Sequence, residues 1–131
     1  MQRFCVALLL AALSAGAAAA WDRVGVADDG TVFYADPAAV QTSGSEVKMW
    51  ALLDYKTAQK SDSGKEHLSA KLLHEYDCQG KGGRTRYFSL HAGHMGAGTL
   101  VYSEVRPASE WWPARREIIG ETLWKIACGR K

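Results

Sequence analysis

The sequence predicts an α+β domain, in which a single six-stranded antiparallel sheet carries a C-terminal helix on one face and one disulfide closes the fold. Three observations support this class. Short runs of alternating apolar and polar residues are separated by turn residues, which is typical of antiparallel strands. Near the C-terminal end the apolar period lengthens to that of a helix. Beyond the N-terminal leader, an even pair of cysteines remains, Cys78 and Cys128.

The first twenty residues have the pattern of a secretory signal peptide. Arg3 begins it, an apolar segment follows, and Ala18–Ala20 matches a small-residue cleavage site. We expect cleavage after Ala20 and an exported domain of residues 21–131. A transmembrane anchor is the alternative, but the apolar run is rich in alanine and only marginally long enough to span a bilayer. The cysteine of this segment, Cys5, precedes the apolar run, so no lipoprotein signal is predicted.

Charge and cysteine content limit the classes of function. The 131 residues carry a formal net charge of +2 at pH 7. This balance gives no electrostatic basis for binding nucleic acid, which draws a clustered basic surface. Export leads to an oxidising compartment, so Cys78 and Cys128 are predicted to form a disulfide, the alternative being two buried free thiols. Closing a loop of that length stabilises the fold by about 4 kcal/mol in the chain-entropy treatment.

The first three strands are predicted at 21–26, 31–36 and 46–56. Asp29 and Gly30 suit a hairpin turn between the first two, and DPAAV predicts a turn or one helical turn before the third. The third strand has the clearest alternation. Its two faces carry Val47, Met49, Ala51, Leu53 and Tyr55 on one side, and Lys48, Trp50, Leu52, Asp54 and Lys56 on the other. Because the second face is only half polar, it can be covered as well.

The remaining strands are predicted at 66–78, 85–92 and 98–105. In the first of these, the more apolar face carries Leu68, Ala70, Leu72, His74, Tyr76 and Cys78. Glu75 and Asp77 lie on the opposite face beside a lysine, and we interpret them as solvated and not as an acid–base pair. QGKGGR predicts a glycine-rich turn, and RPASEWWPARRE predicts irregular surface chain.

The end of the chain has a helical apolar stripe. It consists of Ile119, Leu123, Ile126 and Ala127. Pro113 lies near the predicted start and Gly129 just past the end, which suits helix termini. Cys128 falls in the last turn, so the disulfide is expected to hold this helix on the sheet face that carries Cys78.

HAGHMGAG, residues 91–98, is the strongest candidate for chemistry. His91 and His94 could ligate a metal, but no third ligand lies at a recognisable spacing, so no metal or other cofactor is predicted. A turn or bulge is the preferred interpretation. The sequence also lacks the Gly-x-Ser-x-Gly elbow of a nucleophilic serine, and both cysteines are assigned to the disulfide. We therefore predict no catalytic residue and no enzyme, with a metal-dependent enzyme using the two histidines as the alternative.

EWWPARRE is the best candidate for a partner site. It places Trp111 and Trp112 beside Arg115 and Arg116, residue types enriched in interface hot spots. The alternative is that one indole covers the edge of the core while the arginines remain solvated. The strand face with Lys48, Trp50 and Leu52 is the next choice.

Several runs together resemble the bacterial surface-adhesin protein E family over essentially the whole mature chain. These runs are DDGTVFYADPAAV, VKMWALLDYKTAQ, EYDC, HMGAG with VYSEV, and IIGETLWKIAC. The resemblance implies a six-stranded antiparallel sheet with a C-terminal helix and a tendency to form homodimers. In the adhesin that names the family, it also implies binding of host matrix and serum proteins such as laminin and vitronectin. That adhesin is a lipoprotein, whereas this chain has no cysteine at the predicted cleavage position.

The leading functional expectation is therefore an exported, non-catalytic protein-binding domain, either adhesin-like or associated with the cell envelope. Its place would be the periplasm, or the cell surface and the surrounding medium. A periplasmic inhibitor or chaperone-like protein is the alternative within binding functions. No ligand-contact residue of the family is carried over to a position in this chain.

Overall fold

The computed structural model of the chain describes residues 20–80, 82–108, 111–113 and 118–129. The predicted signal peptide lies outside them except for Ala20. The described residues form eight strands and one α-helix, together with 3₁₀ turns at Pro37–Ala39 and His94–Gly96. The elements are β1 (Asp22–Val26), β2 (Val32–Ala35), β3 (Gln41–Ser43), β4 (Glu46–Lys60), β5 (Glu66–Asp77), β6 (Gly82–His91), β7 (Leu100–Val105), β8 (Trp112–Pro113) and α1 (Ile118–Ala127).

The strands belong to one antiparallel sheet with the order β1-β2-β4-β5-β6-β7, while β3 pairs with β4 and β8 pairs with β6. In the part of the chain that is described, the sheet thus has eight strands, and the prediction of six was wrong. β3 has three residues and β8 has two. Strands this short show no alternation along the sequence, and they form because β4 and β6 offer them free backbone groups to pair with.

Two strands are longer than the sequence pattern indicates. β4 continues through Lys60, beyond the predicted end of the third strand at Lys56, and forms one arm of the β4–β5 hairpin. The register of this hairpin shifts between Asp54 and Gln59. β6 begins at Gly82, so the predicted glycine-rich turn is partly strand.

The core lies between α1 and one face of the sheet. Its buried residues are Ala35, Val47, Met49, Ala51, Tyr76, Leu123, Trp124 and Ala127. The predicted helical stripe is confirmed, because Leu123 and Ala127 are buried and Ile119 and Ile126 pack against them. Trp124 lies outside that stripe, yet it is also buried, and its Nε1 donates a hydrogen bond to the Asp77 carbonyl at 3.0 Å. The helix therefore meets the sheet over a wider face than the pattern predicts.

The predicted disulfide is present between Cys78 and Cys128, whose Cα atoms lie 5.6 Å apart. Cys78 directly follows β5, and Cys128 directly follows α1. Both cysteines pack against the core, so the strand parity that assigned Cys78 to the apolar face is confirmed. The bond joins the end of the helix to the sheet that it covers.

The opposite face of the sheet is partly covered too. Leu52 on this face is fully buried. The turn at His94–Gly96 contacts β4 and β5 and is held by Ser69, whose Oγ donates to the Gly93 carbonyl at 2.6 Å and accepts from the Gly96 N–H at 2.8 Å. This turn, His94–Gly96, which we call the strap, thus covers part of this side of the sheet. Among the described residues, no helix combines the length and the apolar character needed to cross a bilayer.

Candidate functional site

Two adjacent glycines of β6 make room for the tryptophan segment, residues 111–113, to pack against the sheet. β8 pairs with β6 at Gly82 and Gly83. A Cβ at Gly82 would lie 2.8 Å from the Trp111 Cβ, and a Cβ at Gly83 would lie 2.5 Å from Cη2 of Trp112. These contacts are too close for any side chain, so the glycines provide the room in which the indoles lie. This explains why GG forms strand here and not only a turn.

Trp111 lies against a cluster of charges on the sheet face opposite α1. The Arg84 guanidinium carbon is 3.8 Å from the centroid of the Trp111 ring, a cation–π contact. Arg84 also donates from Nε to Glu75 Oε1 at 2.8 Å. Two further cations approach this carboxylate, with Arg86 Nη1 3.5 Å from Oε1 and Lys48 Nζ 3.9 Å from Oε2. Three positive charges therefore surround one negative charge.

The carboxylate of this cluster is buried, since the Glu75 side chain is 5% exposed. The interpretation of Glu75 as solvated was thus wrong. Its partner is the cross-strand neighbour Arg84, which lies opposite it in the β5–β6 register. Lys48 and Arg86 remain 39% and 28% exposed. We call the set of Lys48, Arg84, Arg86 and Trp111 the basic–aromatic surface.

Trp112 lies on the other face, at the edge of the core. Its ring centroid is 6.0 Å from that of His74 and 6.3 Å from that of Tyr76, both edge-on. Trp112 is nevertheless 37% exposed. A groove of about 220 Å³, lined in part by Arg84, Arg106 and Trp112, lies beside it. One indole of the pair thus covers the core edge, while the other stacks on a cation.

Burial changes the acid–base properties of the two rings that Trp112 contacts. It lowers the pKa of His74 to about 4, because a charged imidazole loses hydration there. Burial also raises the pKa of Tyr76 above its usual range. Arg115 and Arg116, the other two predicted site residues, lie outside the described residues.

His91 and His94 do not converge on a common point. His91 Nε2 lies 2.8 Å from Ser89 Oγ, whereas His94 Nδ1 lies 3.0 Å from Asp54 Oδ1. Asp54 Oδ1 also accepts the Met95 N–H at 3.0 Å, which fixes the strap. Burial, and secondly the charge of Lys71, lower the pKa of His91. Among the residues that the structure describes, no three potential ligands are grouped to hold a metal ion.

The Glu75 cluster is the part of this site that sequence reasoning missed. The pairing could have been predicted from the position of the turn. Glu75 and Arg84 are equally distant from the centre of the turn between β5 and β6. In an antiparallel hairpin, such residues face each other across the ladder. The alternation of β5 alone shows only that Glu75 is opposite the apolar face.

Comparison with known proteins adds one match. The family model described as surface-adhesin protein E matches residues 21–129, which confirms the resemblance found in the sequence. Neither a search of curated proteins nor a search of solved structures returned a match.

Proposed function

Since the chain belongs to the surface-adhesin protein E family, we propose that it is an exported, non-catalytic domain that binds another protein. The proposed partners are host extracellular-matrix or serum proteins, the partner class that the family resemblance implies. The domain would then act at the cell surface or in its surroundings. The family and the chemistry of the basic–aromatic surface support this proposal independently of each other.

The observation that carries the proposal is the stacking of Trp111 on Arg84. Large aromatic rings and guanidinium groups supply much of the binding energy at protein interfaces, because they combine apolar area with directional hydrogen bonds. Here they occur side by side at a sheet edge, next to a groove of about 220 Å³. The excess of positive charge favours an acidic segment of the partner.

The surface is also preorganised for binding. Arg84 is held from one side by the Glu75 carboxylate and from the other by the Trp111 ring. An arginine fixed in this way loses little side-chain entropy when a partner docks. Lys48 and Arg86 are more exposed, so they can contact a partner while the carboxylate keeps the cluster together.

Surface plasmon resonance on immobilised laminin and vitronectin tests the proposal. We expect the double variant Trp111→Ala with Arg86→Ala to weaken binding by about tenfold or more. Arg23→Ala is the matched control, because Arg23 is an exposed arginine on β1, the opposite edge strand. Unchanged affinity in a folded double variant would place the site elsewhere, and Trp50 on the same face would be tested next, since Leu52 is fully buried.

Trp112 and Arg115, which the sequence also suggests as partner-binding residues, need a different design. Because Trp112 packs on His74 and Tyr76, thermal melting of Trp112→Ala must come before any binding measurement. If it remains folded, we expect Trp112→Ala with Arg115→Ala to weaken binding by about tenfold as well. If it unfolds, Trp112 is a structural residue and Trp111 is the binding aromatic residue.

A periplasmic inhibitor or chaperone-like role is the alternative. It is favoured by the absence of a cysteine at the end of the apolar leader, where a lipoprotein would carry its anchor. Protease treatment of intact cells separates the two roles, since only a surface-exposed protein is accessible to the enzyme. A protected, soluble periplasmic pool would support the alternative.

A further inference from the structure

A second cavity lies far along the sheet from the tryptophan segment. The tip of the β4–β5 hairpin, around Lys60–Ser63, faces β6 and β7 across a space of about 460 Å³, which we call the hairpin cavity. Its volume falls within the range of small-molecule sites in proteins. It shares no residue with the basic–aromatic surface.

One wall of the hairpin cavity is aromatic. Phe88 on β6 and Tyr102 on β7 contact each other with ring centroids 5.7 Å apart and planes at 45°. Leu90 extends this wall along β6. Tyr102 lies on the edge strand β7, and it is 47% exposed. The wall therefore offers an apolar, aromatic surface to a ligand that itself has an apolar side.

The facing wall and the rim carry hydrogen-bonding groups of every kind. Lys60 provides a cation, Asp62 and Glu104 provide carboxylates, and the hydroxyls of Ser61 and Ser63 lie 2.9 Å apart. The rim thus offers many donors and acceptors to a ligand that carries several hydroxyl groups.

His67 also lines the cavity, although one of its ring nitrogens is buried away from it. His67 is 6% exposed, its ring packs edge-on against Tyr55 at 5.6 Å, and its Nδ1 is buried without a hydrogen-bond partner among the described residues. Such an atom costs about 1–3 kcal/mol.

We propose that the hairpin cavity is a carbohydrate site that binds an uncharged pyranose. A pyranose has an apolar face formed by its ring C–H groups, which packs on Tyr102 and Phe88. Its hydroxyls point outward to the carboxylates, the serine hydroxyls and the ammonium group of the rim. The aromatic wall and the polar rim match this combination of an apolar face and a ring of hydroxyls. The site extends beyond the proposed protein binding, and it would allow the domain to contact a glycan and a protein at once.

NMR titration of the ¹⁵N-labelled domain, residues 21–131, tests the site. The probes are the methyl glycosides of glucose, galactose, mannose and N-acetylglucosamine, each added separately. We expect saturable shifts of the amides around Ser63, His67 and Tyr102 with at least one probe, and saturation transfer from aromatic protons to the sugar ring. Tyr102→Ala should weaken that binding by about tenfold or more, since the apolar wall is lost. Val105→Ala, on the same edge strand but outside the cavity, is the matched control and should bind as the parent does.

A second variant keeps the test decisive if Tyr102→Ala misfolds. Glu104→Gln keeps the shape of an exposed side chain and should weaken sugar binding by about threefold or more, because a charge-assisted acceptor is lost. Benzoate and benzylamine serve as charged aromatic probes. The proposal is overturned if no glycoside binds saturably, if folded variants bind as the parent does, or if a charged probe binds more tightly than every sugar. Laminin and vitronectin binding, measured on the same variants, should stay unchanged, so the two proposals fail separately.

Discussion

At the residue scale, the neighbours of His74 determine its protonation state. His74 lies on β5 with Nδ1 3.2 Å from Thr85 Oγ1 and with the rings of Tyr76 and Trp112 about it. These neighbours hold the imidazole without offering it a carboxylate. Burial therefore lowers the pKa of His74 to about 4, and the ring stays neutral in the folded state at pH 7.

This residue makes folding stability depend on pH. The unfolded histidine takes up a proton near pH 6.5, whereas the folded one resists protonation down to about pH 4. Its contribution is thus complete above about pH 6.5 and is lost as the pH falls toward 4. Full burial would correspond to about 3 kcal/mol, but the ring borders a cleft beside Trp112, so we expect about 1–2 kcal/mol. Urea unfolding at pH 7 and pH 4.5 measures this, with the non-titrating variant His74→Phe as reference. Equal losses in both proteins on acidification would contradict the assignment.

At the element scale, β8 depends on the glycines that it pairs with. Its two residues make few backbone hydrogen bonds, so the packing of Trp112 over Gly83 has to hold the strand in place. A neighbouring segment of chain can pack this closely only where a strand has no side chain. The dipeptide Gly82–Gly83 is therefore a docking position for the tryptophan segment.

Gly83→Ala should dislodge β8. Its new Cβ would lie 2.5 Å from the Trp112 ring, which is far inside contact distance. We expect a loss of about 1–3 kcal/mol in the free energy of unfolding and a shift of tryptophan fluorescence toward the solvated indole. Gly25→Ala on β1 is the matched control, because its Cβ would make an ordinary contact with Ile119 at 3.7 Å. Equal stability of the two variants would show that Trp112 is not packed on Gly83.

At the scale of the whole molecule, one disulfide-closed sheet separates two candidate surfaces. The basic–aromatic surface lies near the start of β6, where Arg84 and Arg86 are found, and the hairpin cavity uses Phe88 and Leu90 farther along the same strand. The helix and its disulfide hold the sheet from one side and leave both surfaces accessible. Variants at one surface should therefore leave the other intact.

The export of this molecule is testable by intact mass. We expect protein recovered from the producing cells to begin at Trp21, and its mass to rise by two hydrogens on reduction as the bond between Cys78 and Cys128 opens. The family match covers residues 21–129, the region that this cleavage would leave. A mass that still includes Met1 would contradict the signal-peptide prediction, and free thiols in the unreduced protein would contradict the disulfide in the cell.

The candidate partner site was only partly predictable. Trp111 and Trp112 stand out in the sequence because adjacent tryptophans beside arginines are uncommon. One indole stacks on Arg84 and the other covers the core edge, because Trp111 packs over Gly82 and Trp112 over Gly83. The buried ion pair with Glu75 depends on strand register, which the alternation within one strand does not contain.

The sequence by itself determined the features that local patterns encode. Six of the strands and the helix follow from periods of two and nearly four residues, and the disulfide follows from the cysteine pair and the predicted export. Only the tertiary structure decided the two short strands, the separate hydrogen-bond partners of His91 and His94, and the hairpin cavity. The physical reason is that side-chain periodicity is a property of one segment. Pairing, burial of a charge and the shape of a cavity instead arise where segments distant in sequence meet, and their contacts are set by register and by the bends of the sheet.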